Sequence, residues 1–362
     1  MALFDSVANL PLEIDSYELE GREQPIAPNF TRRTTVIRLR GGGLEGVGED
    51  VTYDEGNQLA LQEEGPTQPF GGSHTFESFS QLLERLNLFP SGPARDDFTN
   101  YRRWAFESAA LDLALRQAGR TLAEAVDRTP QQVRFVASLR LGEPATLEPV
   151  RGWLALYPRL HFKLDPTSSW TETLVAELVE AARVDIVDLK GAYHGTPVDN
   201  PPDPTLYARV AVAFPDAWIE DPALTEETDP VLAPHRNRIT WDAPIHSVAD
   251  IRGLPFPPRT LNIKPSRFGS VRALFETYDY CAENGIRMYG GGQFELGPGR
   301  GQIQYLASLF HAAMPNDVAP RGFNEAEPRA GLPSSPLDPS PGPVGFYWAE
   351  AEPDARARTA LA

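Results

Sequence analysis

Cysteine is almost missing from this chain: Cys281 is the only one in 362 residues. An internal disulfide is thereby excluded, and a reducing cytoplasm is the compartment that suits such a sequence. The six histidines are scattered, with no His/Cys cluster at zinc spacing, which argues against the common zinc sites. Long apolar runs are lacking too. No stretch approaches the roughly 20 residues of a membrane span. The opening "MALFDSVANLPLEID" has neither the basic start nor the apolar middle of a signal peptide. Positive charge is scarce, with 33 Lys and Arg against 50 Asp and Glu and a net charge of −17. That balance argues against nucleic acid or an anionic membrane as partner. The Gly290–Gly292 run lacks the lysine and serine of a phosphate-cradling loop, which argues against a nucleotide.

What is present suffices for a large core, since 41% of the residues are hydrophobic. Residues 12–53 read as strands separated by Gly-rich turns, followed by helices near 76–88 and through "NYRRWAFESAALDLALRQAG". This predicts an α+β unit over residues 1–130. From residue 131 short β-rich runs alternate with helical ones, as parallel strands with crossover helices do. Eight candidate strands predict a (β/α)8-type TIM barrel over 131–325, irregular where two connections are too short for full helices. Residues 326–362 are rich in Pro, Ser and Gly but contain "GFYW". They read as a strap packed back over the first unit.

In such a barrel, functional residues sit at the C-terminal ends of the strands. The charged residues at those places are Lys163 and Asp165, Asp188 and Lys190, Glu220, Asp242, Lys264 and Glu295. Strand alternation turns Ile219, Trp241 and Ile263 outward, leaving Glu220, Asp242 and Lys264 facing in. Asn262 shares its face with Lys264. Three converging carboxylates, Asp188, Glu220 and Asp242, repel one another unless a cation joins them. An oxygen-only set of this kind suits Mg²⁺. Ion pairs plugging the barrel mouth are the alternative.

The ordered series resembles the enolase superfamily, and "NIKPSRFGSV" is most similar to its muconate-lactonizing and o-succinylbenzoate synthase group. The resemblance spans nearly the whole chain. "RTTVIRLRGGGLEGVGE" resembles the opening hairpin of that superfamily's capping domain, and "AFESAALDLALRQAG" a helix of it. "GGQFELGPGRGQIQYLASLF" resembles the seventh strand and following helix. The resemblance implies a Mg²⁺-dependent lyase or isomerase that takes the α-proton of a small carboxylate and forms a metal-stabilised enediolate. Elimination, cycloisomerisation and racemisation all fall within it, and homo-oligomers are common among such barrels. Asp188, Glu220 and Asp242 are then metal ligands, and Lys264 the catalytic base or enediolate partner. Lys190, Asn262 and Glu295 then lie beside substrate or just behind the residues that touch it.

Three departures from the superfamily pattern leave alternatives. The second strand reads "FKLDP" where the pattern has K-x-K, placing Asp165 at the second lysine. Either Asp165 replaces that base, or Lys163 serves from a shifted register, or two-base chemistry is lost. "VDLKG" replaces "VDAN", so Lys190 either competes with Mg²⁺ for Asp188 or adds a catalytic cation. "WDAP" lacks a following glutamate. Glu295 either tunes Lys264 or bonds the backbone of its own loop. A degenerate, metal-free barrel acting in binding or structure is the reading from another class.

Overall fold

A computed structural model describes residues 2–27, 30–193, 196, 198–325 and 327–349. In the N-terminal unit a one-turn helix, Asp5–Ala8, precedes β1 (Pro11–Ile14), and the chain continues into an antiparallel meander. Its strands are β2 (Ser16–Ala27), β3 (Phe30–Gly41) and β4 (Leu44–Asp50). A short β5 (Gly72–Thr75) pairs back onto β1. Helix Phe98–Gln117 lies against the meander, and nearly every residue from Tyr101 to Leu115 is buried. The close approach depends on "GVG" in β4. A Cβ on Gly46 would stand 2.4 Å from the Ala109 carbonyl oxygen, and one on Gly48 only 2.0 Å from that of Ala105. Only glycine lets strand and helix backbones meet there.

The barrel strands β6 (Ala137–Leu139), β7 (His161–Leu164), β8 (Arg183–Asp188), β9 (Trp218–Glu220) and β10 (Ile239–Thr240) form one parallel sheet in chain order. β11 (Thr260–Ile263) and β12 (Arg287–Gly290) form a second parallel pair. An Asn262 N–H donates to the Trp241 carbonyl at 3.0 Å and joins the two sheets. The two short connections are those around β10, which hold helices of only 4 to 6 residues.

The expected eighth strand, "NDVAP", is reduced to single bridges: Asn316 to Phe135 and Asp317 to Gly291. A side chain does the closing instead. Asn316 Oδ1 accepts from the Gly290 N–H at 2.7 Å, while its amide donates to the carbonyls of Arg134 and Met314. Buried His311 bonds the same Oδ1 through Nδ1, at 2.6 Å. The barrel is thus a (β/α)8 type, modified at its seam.

Two cap residues grip the loop beyond β12. Buried Arg32 donates to the carbonyls of Phe294 and Gln293 at 3.2 and 2.9 Å. Buried Glu49 accepts from the N–H groups of Leu296, Gly297 and Gly299 at 2.7 to 3.0 Å. Those N–H groups open helix Pro298–Phe310, so the carboxylate also meets the positive end of a helix dipole. The tail returns over the helix Phe98–Gln117, where Phe346 N–H donates to Asp112 and Phe346 and Trp348 are buried. Residues 326 and 350–362 of the expected strap lie outside the described residues.

Burial lowers the His311 imidazole to about 4, below its ordinary value, so the folded protein keeps it neutral. Its contribution to stability is complete above about pH 6.5 and is lost as pH falls toward about 4. His311→Gln is therefore expected to lower the thermal midpoint more at pH 7 than at pH 5. A gap that stays constant between those pH values contradicts a neutral, buried His311.

Candidate active site

Strand register sets the centre of the site. Asp188 and Glu220 end adjacent parallel strands and stand directly opposite one another. Lys163, from the middle of β7, reaches both: its Nζ lies 2.9 Å from Asp188 Oδ2 and 2.5 Å from Glu220 Oε1. Asp317 is 3.5 Å from the same ammonium. Glu220 also accepts from Asn262 at 3.2 Å and from the Tyr289 hydroxyl at 2.5 Å. Asp242, two residues beyond β10, is held from the other side. Lys264 Nζ is 2.8 Å from its Oδ2, which also accepts from the Tyr193 hydroxyl at 2.8 Å. Arg267 Nε is 3.2 Å from its Oδ1. Lys190 turns back onto its own strand end and bonds Asp188 through Nζ and through its backbone N–H.

Among the described residues, the carboxylates with oxygens within 4.8 Å of one another are Asp188, Glu220 and Asp221. Asp242, the expected third ligand, is not in that group. Asp221 has a positive φ of 45°, and its two oxygens accept the N–H groups of Asp242 and Ala243 at 2.8 and 2.9 Å. It therefore fixes the turn that carries Asp242 while standing within reach of the centre. Glu295 finds its partners in its own neighbourhood, the Gln293 N–H at 2.6 Å and Arg300 at 3.0 Å. Gly291 packs closely on the site: a Cβ there would meet Asn262 Oδ1 at 2.6 Å and Lys264 Cε at 2.7 Å, and those side-chain ends would have to shift.

Charge in this cluster does not balance. Six carboxyl groups, Asp165, Asp188, Glu220, Asp221, Asp242 and Asp317, meet four close cations, Lys163, Lys190, Lys264 and Arg267, with Arg140 acting on Asp165 from farther off, so the carboxyls outnumber the cations that would keep them all ionised. The strain falls unevenly. Burial opposes charge on Asp188, but Lys163 and Lys190 outweigh it and hold that carboxyl below the ordinary range. Arg267 and Lys264 do the same for Asp242. Burial and then the Asp188 charge push Glu220 up to about 8. Burial and Asp242 push Asp221 up to about 7. Asp165 rises to about 6 by burial, against the pull of Lys190. Lys163 is desolvated too, yet Asp188 and Glu220 raise it well above the ordinary lysine value.

The donor set fits a hard divalent cation. It offers oxygen alone, and the raised carboxyls are those a cation would relieve.

Sequence reasoning placed Lys163, Asp165, Asp188, Lys190, Glu220, Asp242, Asn262 and Lys264 at strand ends, and the fold brings these eight together. It missed Asp221, although "WIEDP" displays it, and Asp317 in "NDVAP". Tyr193, Arg267 and Tyr289 carry no comparable signal. A further regularity was legible and overlooked. The chain contains three lysines, and all three are in this cluster; its other 30 basic side chains are arginines.

The family described as "Domain of unknown function (DUF8230) N-terminal domain" matches residues 5–125, and the corresponding C-terminal domain matches residues 129–325. The chain is 31% identical over 341 residues to an N-succinylamino acid racemase of an Amycolatopsis species, across 85% of this chain and 86% of that enzyme. It is 26% identical over 256 residues to the o-succinylbenzoate synthase of Geobacillus kaustophilus, covering 67% of this chain and 64% of that enzyme, just under two thirds of its length. In fold it is similar to the dipeptide epimerase of Methylococcus capsulatus, solved with a magnesium ion, at a TM-score of 0.69 and 18% identity over 94% of this chain and 100% of that one.

Removing Lys163 would leave two facing, buried carboxylates without their common partner. In chelator-treated protein, Lys163→Met is expected to lose about 3–5 kcal/mol of stability in denaturant unfolding. A loss below about 1 kcal/mol would contradict the bridging role.

Proposed function

The chain belongs to the enolase superfamily and to the DUF8230 family, and on that premise we propose that it is a Mg²⁺-dependent lyase or isomerase acting on a small organic carboxylate. One observation carries the reading. Asp188 and Glu220 face each other in register, while a lysine approaches the cluster from each flank, Lys163 from β7 and Lys264 from beyond β11.

Asp188 and Glu220, with Asp221 or Asp242, would hold the ion. Mg²⁺ bound there supplies positive charge against the second negative charge that a carboxylate gains on losing its α-proton. Lys264 Nζ is the group that moves the proton. Only its Asp242 contact must open for it to face substrate, and Gly291 leaves it the room. Lys163, held charged by two carboxylates, acts as a fixed cation. Asn262 orients Glu220, and Tyr193 and Arg267 hold Asp242. With Lys163 committed in this way, elimination or cycloisomerisation from one face fits these residues better than racemisation with two opposed bases. The metal-free alternative draws no support from relatives that are named for turnover.

Proton NMR in D₂O tests the proposal on a panel of small carboxylates headed by N-succinyl amino acids. With Mg²⁺ present, the protein is expected to exchange the α-proton of at least one, and Lys264→Ala to slow that exchange by about 10²–10⁴-fold. Exchange that survives in Lys264→Ala would reject Lys264 as the base. A folded protein that exchanges none of the panel would count against the reaction class.

A further inference from the structure

Of the three lysines, Lys190 has no assigned role, and its surroundings offer its ammonium two seats. The first is occupied. Lys190 has a left-handed backbone, φ 55°, which non-glycine residues adopt seldom. That turn lets Nζ bond Asp188 Oδ2 while the backbone N–H donates to Oδ1 at 3.2 Å. One residue thus covers both oxygens of a proposed metal ligand. The second seat is empty. Asp165 Oδ1 lies 3.7 Å from the same ammonium, beyond hydrogen-bond length, and is buried with no hydrogen-bond partner. A buried carboxylate oxygen left unpartnered is costly, so this one needs a donor that the present arrangement denies it. Elsewhere the chain meets its need for positive charge with arginine, whose planar fork is rigid. A lysine here supplies a compact ammonium on a flexible stem, able to move between neighbouring acceptors.

We propose that Lys190 is a resident counter-ion, seated on Asp188 when no divalent ion is bound and handed to Asp165 when one binds. The proposal rests on the Mg²⁺ reading of the cluster. In the absence of the ion, Lys190 shares with Lys163 the pairing of a fully buried carboxylate. The incoming ion takes that oxygen, and the displaced ammonium meets the unpartnered oxygen of Asp165. Lys190 thus has a carboxylate partner at both stages. Asp165 then has a receiving role and moves no proton.

Calorimetric Mg²⁺ titration of the chelator-stripped full chain tests the handover. Lys190→Asn and Lys190→Gln remove the competitor, and each is expected to bind Mg²⁺ about tenfold more tightly than the parent, the equivalent of one charge-assisted hydrogen bond. Asp165→Asn removes the receiving seat and is expected to bind about tenfold more weakly. In the Lys190→Asn background, Asp165→Asn should then change nothing, since no ammonium remains to be received. A persistent weakening there would mean that Asp165 acts only through its own charge, and would overturn the handover. So would folded Lys190 variants with unchanged or weaker affinity, and either result leaves the Mg²⁺ reading standing if the parent binds. Binding seen only after Lys190 is removed would show an ammonium that blocks the site and is never handed on, and would overturn the handover. No binding by the parent or by any variant would reject the Mg²⁺ reading and the handover together.

Discussion

Six carboxyl groups gathered around four close cations, more carboxyls than those cations can keep ionised, are the constraint around which this barrel is arranged. Charges of one sign cannot be gathered in a low-dielectric interior unless each is paired or neutralised. The fold meets that demand by strand register. Because Asp188 and Glu220 are opposite neighbours, a single ammonium from β7 can bridge them. The next strand end contributes Asp242 at a higher level, where Lys264, Arg267 and Tyr193 surround it. What pairing leaves unbalanced appears as the raised carboxyls of Glu220 and Asp221, which a divalent ion would relieve.

The supporting structure serves the same end. Lys264 has room because Gly291 presents no side chain to it. The loop just beyond Gly291 is gripped on its carbonyls by Arg32 and on its N–H groups by Glu49, both from the cap. Asn316 closes the seam beside β12 where an eighth strand would otherwise stand. Cap and barrel thus share the work of positioning one lysine, which links the close glycine packing of β4 to the chemistry at the barrel mouth.

Much of this was legible in the amino-acid sequence, for identifiable physical reasons. Strand ends were readable because period-two alternation stops at Pro or Gly, as in "NIKPS", "WIEDP" and "TWDAP", and those ends carry the charged residues. Loop-borne partners were not. Tyr193 reaches Asp242 from 49 positions away through a turn whose shape no local pattern announces. Asp221 was visible but depends on a positive φ for its role. The eighth strand was overcounted because "NDVAP" stands where the β/α alternation calls for a strand, although Asn, Asp and Pro are poor strand formers, and the pairing there is done by the Asn316 side chain. The confinement of lysine to three positions needed no structure, only a separate count of lysine and arginine.

The central claim is that the Asp188–Glu220 pair is the seat of a divalent ion. Anomalous diffraction from crystals soaked in Mn²⁺, a stand-in for Mg²⁺ with strong anomalous signal, measures this most directly. One strong peak bonded to oxygens of both Asp188 and Glu220 is predicted, and the same map identifies Asp221 or Asp242 as the third ligand. Crystals that take up no Mn²⁺, with Lys163 and Lys190 still bonded to Asp188, would contradict the account.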